Sequence, residues 1–289
     1  MSVNSAMIPT IESIVDKTQA VYSLPLFYDR LNEKINHPRS SLADIGRVIS
    51  EDQGLTVRLL KLANSPLFGY HSKIDSITRA LTLIGTQQLR DLALAVSVMG
   101  SFSGIPNELI DMKSFWKHNI ACGILSRSIA TFRREVNQER FFVAGMLHDV
   151  GILVMCTAIP DAVRGILLER RQHGGLYYVS EQNSLGFGHG AVGNALLAKW
   201  KIPLNISEPI ACHHSPASAL KYPLEAATIH LADIISHTMG HSLTADWRVP
   251  PLDNAAWDLL DIPVNQLDTI IRQSETQIEE TAAILSEAA

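Results

Sequence analysis

AGMLHDVGILV, residues 144–154, places a histidine and an aspartate side by side in an otherwise apolar run. Flanked by Met146, Leu147, Val150, Ile152 and Leu153, both side chains approach a buried surface. A carboxylate there loses its hydration, and only a cation, strong hydrogen-bond donors or a metal ion offsets that loss. The run therefore reads as core that carries chemistry.

On either side the apolar pattern is helical. Leu55, Leu59, Leu62 and Ala63 keep the three-four spacing, as do Ile77, Ala80, Leu81 and Ile84, while alternating strand patterns are scarce. Ser41 followed by Asp44 opens SLADIGRVIS like a capping box, and Asp52 precedes a helix that Pro66 stops. The pattern predicts an all-α, two-lobed protein. SGIPNE at 103–108 joins Gly and Pro to small polar residues between two long periodic stretches, dividing the chain into lobes 1–105 and 106–289. VPPLDN at 249–254 marks a turn, and a last amphipathic helix is predicted from Val264 to Leu285.

Composition bounds the function. A chain of 289 residues at 46% hydrophobic can bury a substantial core. No stretch reaches about 18 unbroken apolar residues, and MSVNSAMIPT lacks the regions of a secretory signal, so no membrane span and a cytoplasmic location are expected. Cys122, Cys156 and Cys212 stand singly in apolar surroundings and read as buried thiols. A net charge of −5, with no basic run longer than Arg133-Arg134 or Arg170-Arg171, argues against nucleic acid as a partner.

The second half holds a series of metal-competent side chains: His118, His148 with Asp149, His189, His213 with His214, and Asp233. Each falls in or at the end of a predicted helix, so a bundle can aim them at one point. Imidazoles with carboxylates suit iron, manganese or zinc, as one ion or as two bridged by one aspartate. Singly, each has a plainer reading as a hydrogen-bonded core or surface residue. His213 and His214 also suit the C-terminal end of a helix. His230 and His237 share a helical face with Asp233, but read as flanking it, hydrogen-bonding to it or facing solvent. His37 and His71 stand beside turn-like sequence without partners and read as surface or capping residues.

The order H, HD, H, HH, D on helices resembles the HD superfamily of metal-dependent phosphohydrolases and, in its extended form, the HD-GYP cyclic-dinucleotide phosphodiesterases. The first half resembles the N-terminal lobe of HDOD proteins: LPLFYDRLNEKINHPRSSLADIGRVISEDQGLTVRLLKLANSPLFG, then SITRALTLIGTQQLRDLALAV. FWKHNIACGILS, AGMLHDVGILV, LGFGHGAVGNALLAKWKIP and HLAD extend the likeness to Asp233. The resemblance implies an all-α bacterial protein linked to signal transduction. It assigns His118, His148, Asp149 and Asp233 to a first metal, with Asp149 bridging to a second held by His189, His213 and His214.

Two departures weaken the likeness to the enzymes. They carry a lysine three residues after the aspartate, where this chain has Ile152, and after HH they carry an acidic residue and a GYP loop, where it reads HHSPASALKYP. Ser114 stands where some three-metal relatives place a glutamate. Loss of one phosphate-stabilising cation commonly costs about 10² to 10³ in rate. Arg127, Arg133, Lys199 and Lys201 are the basic residues considered as substitutes, and the sequence places none of them in a pocket. Two readings follow: a signalling module whose metal site has little or no catalysis and whose partner is a signalling protein or regulatory domain, or an active phosphohydrolase acting on a nucleotide or cyclic dinucleotide. A third leaves the histidines structural. No catalytic residue is named, and the ligand class is nucleotide or other phosphate-containing compounds.

Overall fold

The computed structural model describes residues 9–19, 26–102, 104–241 and 248–286, and among these the chain is all-α. Residues 1–8 of the N-terminal decapeptide, Leu24, and Ser103 of the lobe boundary lie outside the described residues. Six helices precede that boundary: α1 (Ile11–Gln19), α2 (Leu26–Asn36), α3 (Leu42–Ser50), α4 (Gln53–Ala63), α5 (Ile77–Ile84) and α6 (Thr86–Ser101). After it come α7 (Met112–Phe132), α8 (Glu139–Leu147), α9 (Val150–Ala158), α10 (Pro160–His173) and α11 (Tyr177–Leu185). The chain continues with α12 (His189–Lys199), α13 (Leu204–Cys212), α14 (Pro223–Thr238), α15 (Asn254–Leu260) and α16 (Val264–Ser286). The short α15, started by the Asp253 cap on Ala256 N, is an element the sequence pattern did not separate from its turn.

The punctuation residues act as the sequence suggested. Ser41 and Asp44 form a reciprocal capping box on α3, and the Asp52 carboxylate accepts from Leu55 N to start α4. Helix α7 is the axis of the second half. Asp111 caps it by accepting from Ser114 N, and α8, α14 and α16 pack around it. One cluster of buried apolar side chains runs from Ile14 to Leu285, through both halves of the chain. Helix α1 lies against α9 and α12, and α6 against α8, so the first half closes over the helices that carry the site.

The stretch Glu139–Ala158 is long and apolar enough to cross a membrane by length and composition, but it is almost wholly buried inside the fold as α8 and α9. The helical path breaks within it: α8 ends at Leu147, and His148 and Asp149 form the joint before α9. Two glycines set the approach of neighbouring helices here. A Cβ on Gly145 would fall 2.8 Å from Ser126 Oγ and 2.9 Å from the Cys122 carbonyl oxygen, so α8 lies directly on α7. A Cβ on Gly151 would fall 2.8 Å from Gly193 N and closer still to the His189 carbonyl oxygen, so α9 and α12 touch through main chain. Ala or any larger residue at 151 would force these helices apart.

Candidate metal centre

The joint between α8 and α9 delivers the His148-Asp149 pair. Asp149 occupies the N-cap position of α9 yet makes no side-chain cap, which leaves both carboxylate oxygens for the imidazoles around it. Asp149 Oδ2 lies 3.2 Å from His148 Nε2 and 3.5 Å from His118 Nε2. Asp149 Oδ1 lies 3.1 Å from His189 Nε2 and 3.9 Å from His213 Nε2. One carboxylate thus faces two separate sets of nitrogens, one set per oxygen.

Each set forms a compact trio. His118, His148 and Asp233 present ligand-type atoms within 4.8 Å of one another, and so do His189, His213 and His214. His118 comes from the middle of α7, Asp233 from α14 and His189 from the first position of α12; His213 and His214 follow the last residue of α13. All seven residues singled out in the sequence are therefore brought to one place, and all but the partly buried His214 are buried.

Hydrogen bonds on the outer nitrogens define how four of the rings present themselves. Nδ1 of His118 lies 2.7 Å from the His241 carbonyl oxygen, that of His148 2.7 Å from Gly145 O, and that of His213 2.7 Å from Ile210 O. A carbonyl only accepts, so each Nδ1 carries the proton and donates it, and wherever Nε2 is unprotonated its lone pair points inward. His189 donates Nδ1–H to Glu181 Oε2 at 2.6 Å, and the same oxygen accepts from His189 main-chain N at 2.9 Å. The inward nitrogens then crowd together: His118 and His148 Nε2 are 3.3 Å apart, His189 and His213 Nε2 3.2 Å, and His214 and His189 Nε2 3.2 Å. Asp233 Oδ1 is buried, with His118 Nε2 3.2 Å away but no well-aligned hydrogen bond, and the outer Glu181 Oε1 is buried without a hydrogen-bond partner. Converging lone pairs beside a carboxylate oxygen that lacks an aligned donor fit a cation, and the imidazole-carboxylate set suits a divalent transition metal.

The electrostatics point the same way. Burial works against ionised Asp149, but the His148 charge and hydrogen bonds from His118, His148 and His189 outweigh it and hold its carboxyl well below the usual range. Asp233 behaves likewise, through His118 and His148. Burial also opposes charge on His118 and His189, yet Asp149 with Asp233 lifts the first to about 9, and Glu181 with Asp149 lifts the second to about 10. His213, buried beside His148 and His189, is pushed down to about 3, and burial also holds His214 well below its ordinary value. Two carboxylates inside an apolar core thus require positive charge at the centre, which protonated imidazoles such as His118 and His189 supply here and a bound cation would supply in their place.

The residues with plainer readings divide. His230 neither bonds Asp233 nor faces solvent, which corrects its reading as a flank of that aspartate. It is buried, its Nδ1 donates to the His213 carbonyl oxygen at 2.8 Å, and its Nε2 accepts from Asp253 N at 3.0 Å, so it ties α13 and α15 to α14. His237 lies with Nε2 3.4 Å from Asp233 Oδ1, at the edge of the centre. Arg127 pairs with Glu139, Arg133 with Glu135 and Lys199 with Asp16, while Lys201 is exposed; none of the four lines the cleft that reaches the centre.

That cleft is lined by Asp149, Asp233, His189, His214 and His237 on the side of the centre. Ile152 lines it too, as do Arg170 and Arg248. Tyr178 stacks on His214 at 4.0 Å between ring centroids. Sequence reasoning missed Glu181 and the two arginines. Glu181 had a signal, since it is the one Asp, Glu, Lys or Arg between Arg171 and Lys199.

Residues 3–216 match the HDOD domain. The chain belongs to the HDOD family. A relative from Treponema pallidum (strain Nichols), named only as an uncharacterised protein, is 25% identical over 276 residues, covering 94% of this chain, which spans about half the length of that relative. A protein from Shewanella amazonensis, provisionally named a phosphohydrolase, superposes with a TM-score of 0.76 at 23% identity, over 94% of this HDOD chain and 98% of the other. One from Marinobacter aquaeolei, provisionally named a signal transduction protein, gives 0.69 at 19% identity, over 98% of this chain and 68% of the other. At these identities the likeness shows the HDOD fold.

Proposed function

We propose that this chain is a cytoplasmic regulatory HDOD module, its N-terminal lobe (1–105) packed on a metal-binding HD-type lobe (106–289), acting on a signalling protein or an attached regulatory domain. The centre holds one or two divalent ions, iron or manganese, with zinc as the alternative. His118, His148, Asp149 and Asp233 hold the first, and His189, His213 and His214 hold the second with Asp149 between them. The observation that carries this reading is the placing of Asp149, one oxygen toward each trio of ligand atoms. The replacement of the enzymes' lysine by Ile152 sets the module apart from an efficient hydrolase.

The cleft favours a second reading, a phosphohydrolase of modest rate acting on a nucleotide or cyclic dinucleotide. Ions at this centre would supply a water ionised near neutral pH and neutralise phosphate charge. Asp149 and Asp233 reach the cleft, Ile152 and the apolar wall exclude water, and His189 and His214 border the place where a phosphate would lie.

Elemental analysis of the purified protein tests the first reading. Stoichiometric iron, manganese or zinc, lost in His148→Ala and in Asp149→Ala, is expected; metal-free protein refutes it. Turnover decides between the two. Cleavage of a nucleotide or cyclic dinucleotide that disappears in Asp149→Ala would replace the regulatory reading with the enzymatic one, and no cleavage with iron or manganese supplied would dismiss the enzyme.

A further inference from the structure

Asp233 and His237 stand four residues apart on α14, so their side chains emerge on one side of the helix. His237 Nε2 lies 3.4 Å from Asp233 Oδ1, yet no well-aligned hydrogen bond joins them. Two atoms bound to one ion at about 2.1 Å stand about 3.0 Å apart at a right angle and about 3.4 Å apart at the tetrahedral angle. In the first half of the centre the inward nitrogens lie 3.2 to 3.7 Å from one another and from the carboxylate oxygens that face them. His237 Nε2 falls inside that series. Its ring centroid is 4.9 Å from that of His118, as close as the 5.1 Å between His118 and His148 or the 5.0 Å between His189 and His214. With His237 the two halves match. In each, two rings are fixed by an Nδ1 that donates outward, His118 and His148 in one and His189 and His213 in the other. The second half has a third ring, His214, whose Nδ1 is buried without a hydrogen-bond partner and which lines the cleft. His237 has the same two properties, a buried Nδ1 without a partner and a place on the cleft wall, on the side of Asp233.

We propose that His237 is a further ligand of the first ion, bound through Nε2 from the cleft side, where it closes the coordination position that a catalytic ion keeps open for water or substrate. This role rests on the proposed metal centre and gives the regulatory reading a physical cause for weak hydrolysis beyond Ile152. Outer acceptors fix the rings of His118 and His148, whereas none fixes His237, so His237 is the imidazole of the first half that yields to an incoming ligand. A small anion in the cleft reaches the first ion by displacing this ring, and the centre answers the anion by exchanging one ligand for the other.

Cobalt-substituted protein tests this, because the visible bands of cobalt(II) change in position and strength with the number of its ligands. The full chain, His237→Ala and His237→Phe are loaded at saturating cobalt, their metal content is measured, and each is titrated with azide. Both variants are expected to keep the wild-type cobalt content and to show altered bands. His237→Phe keeps a ring beside His118 but offers no nitrogen, so its altered bands report the lost ligand and not an emptied pocket. His237→Ala is expected to bind one azide per chain more than the wild type. Free imidazole should compete for that position and return the bands toward those of the wild type. Wild-type bands in both variants, or equal azide binding by the wild type and His237→Ala, overturn the ligand role while leaving the metal reading in place. A wild type that takes up no cobalt refutes the metal reading and the ligand role with it.

Discussion

Glu181→Gln tests how the second half of the centre is held. The carboxylate is fully buried, and its Oε2 accepts from both His189 Nδ1 and His189 main-chain N. Glutamine keeps the shape and an accepting oxygen but removes the charge. Among the four rings of the centre with a partnered Nδ1, three donate to carbonyl oxygens and His189 alone donates to a carboxylate. The added charge therefore acts on the trio of His189, His213 and His214, whereas the other trio has Asp233 of its own. Loss of such an outer partner costs about 10- to 100-fold in metal affinity, or about 1.4–2.8 kcal/mol. Chelator titration followed by metal analysis should show wild type releasing its ions in two steps and Glu181→Gln releasing the first at ten- to a hundredfold lower chelator. Equal movement of both steps, or of neither, refutes the argument that Glu181 acts through His189.

Chelation should lower the melting temperature by several degrees, since an ion present at about 100 times its Kd adds about 2.7 kcal/mol; the drop should vanish in Asp149→Ala, and a chelator-insensitive wild type contradicts it. Gly151→Ala should destabilise by about 1–3 kcal/mol and reduce bound metal. In urea titrations of both variants, Gly165→Ala in α10, where an added Cβ meets nothing within 4 Å, should be neutral or stabilising. Asp111→Ala should cost about 1 kcal/mol through the lost α7 cap. Hydrogen bonds from the backbone and hydroxyl of Ser114 hold the Asp111 carboxyl below its ordinary value. Its contribution is therefore complete above the unfolded value of about 3.9 and fades as pH falls through the folded one. A gap between wild type and variant that stays the same at pH 3 and pH 7 would contradict this.

Much of this was readable before any coordinates. The three-four spacing located α4 and α5, and Ser41 and Asp52 marked helix starts, because caps and periodicity are local properties. The seven clustered residues were legible as an ordered series, although no spacing in a sequence can fix distances between α7, α12 and α14. Glu181 and the arginines were not legible, because their roles depend on packing. Arg170 stood out only as half of a short basic pair, yet it is buried against Tyr177 and lines the cleft. His230 shares a face with Asp233, but a carbonyl from one segment and an amide from another claim both its nitrogens.

The contact of α9 with α12 runs through main chain at Gly151, Gly193 and His189. The atoms nearest Gly151 there are main-chain atoms of His189 and Gly193, not the His189 ring. The spacing of the frame is thus set apart from its chemistry: a descendant that exchanged ligands and the buried carboxylates together would keep α9 and α12 at the same separation around a different occupant.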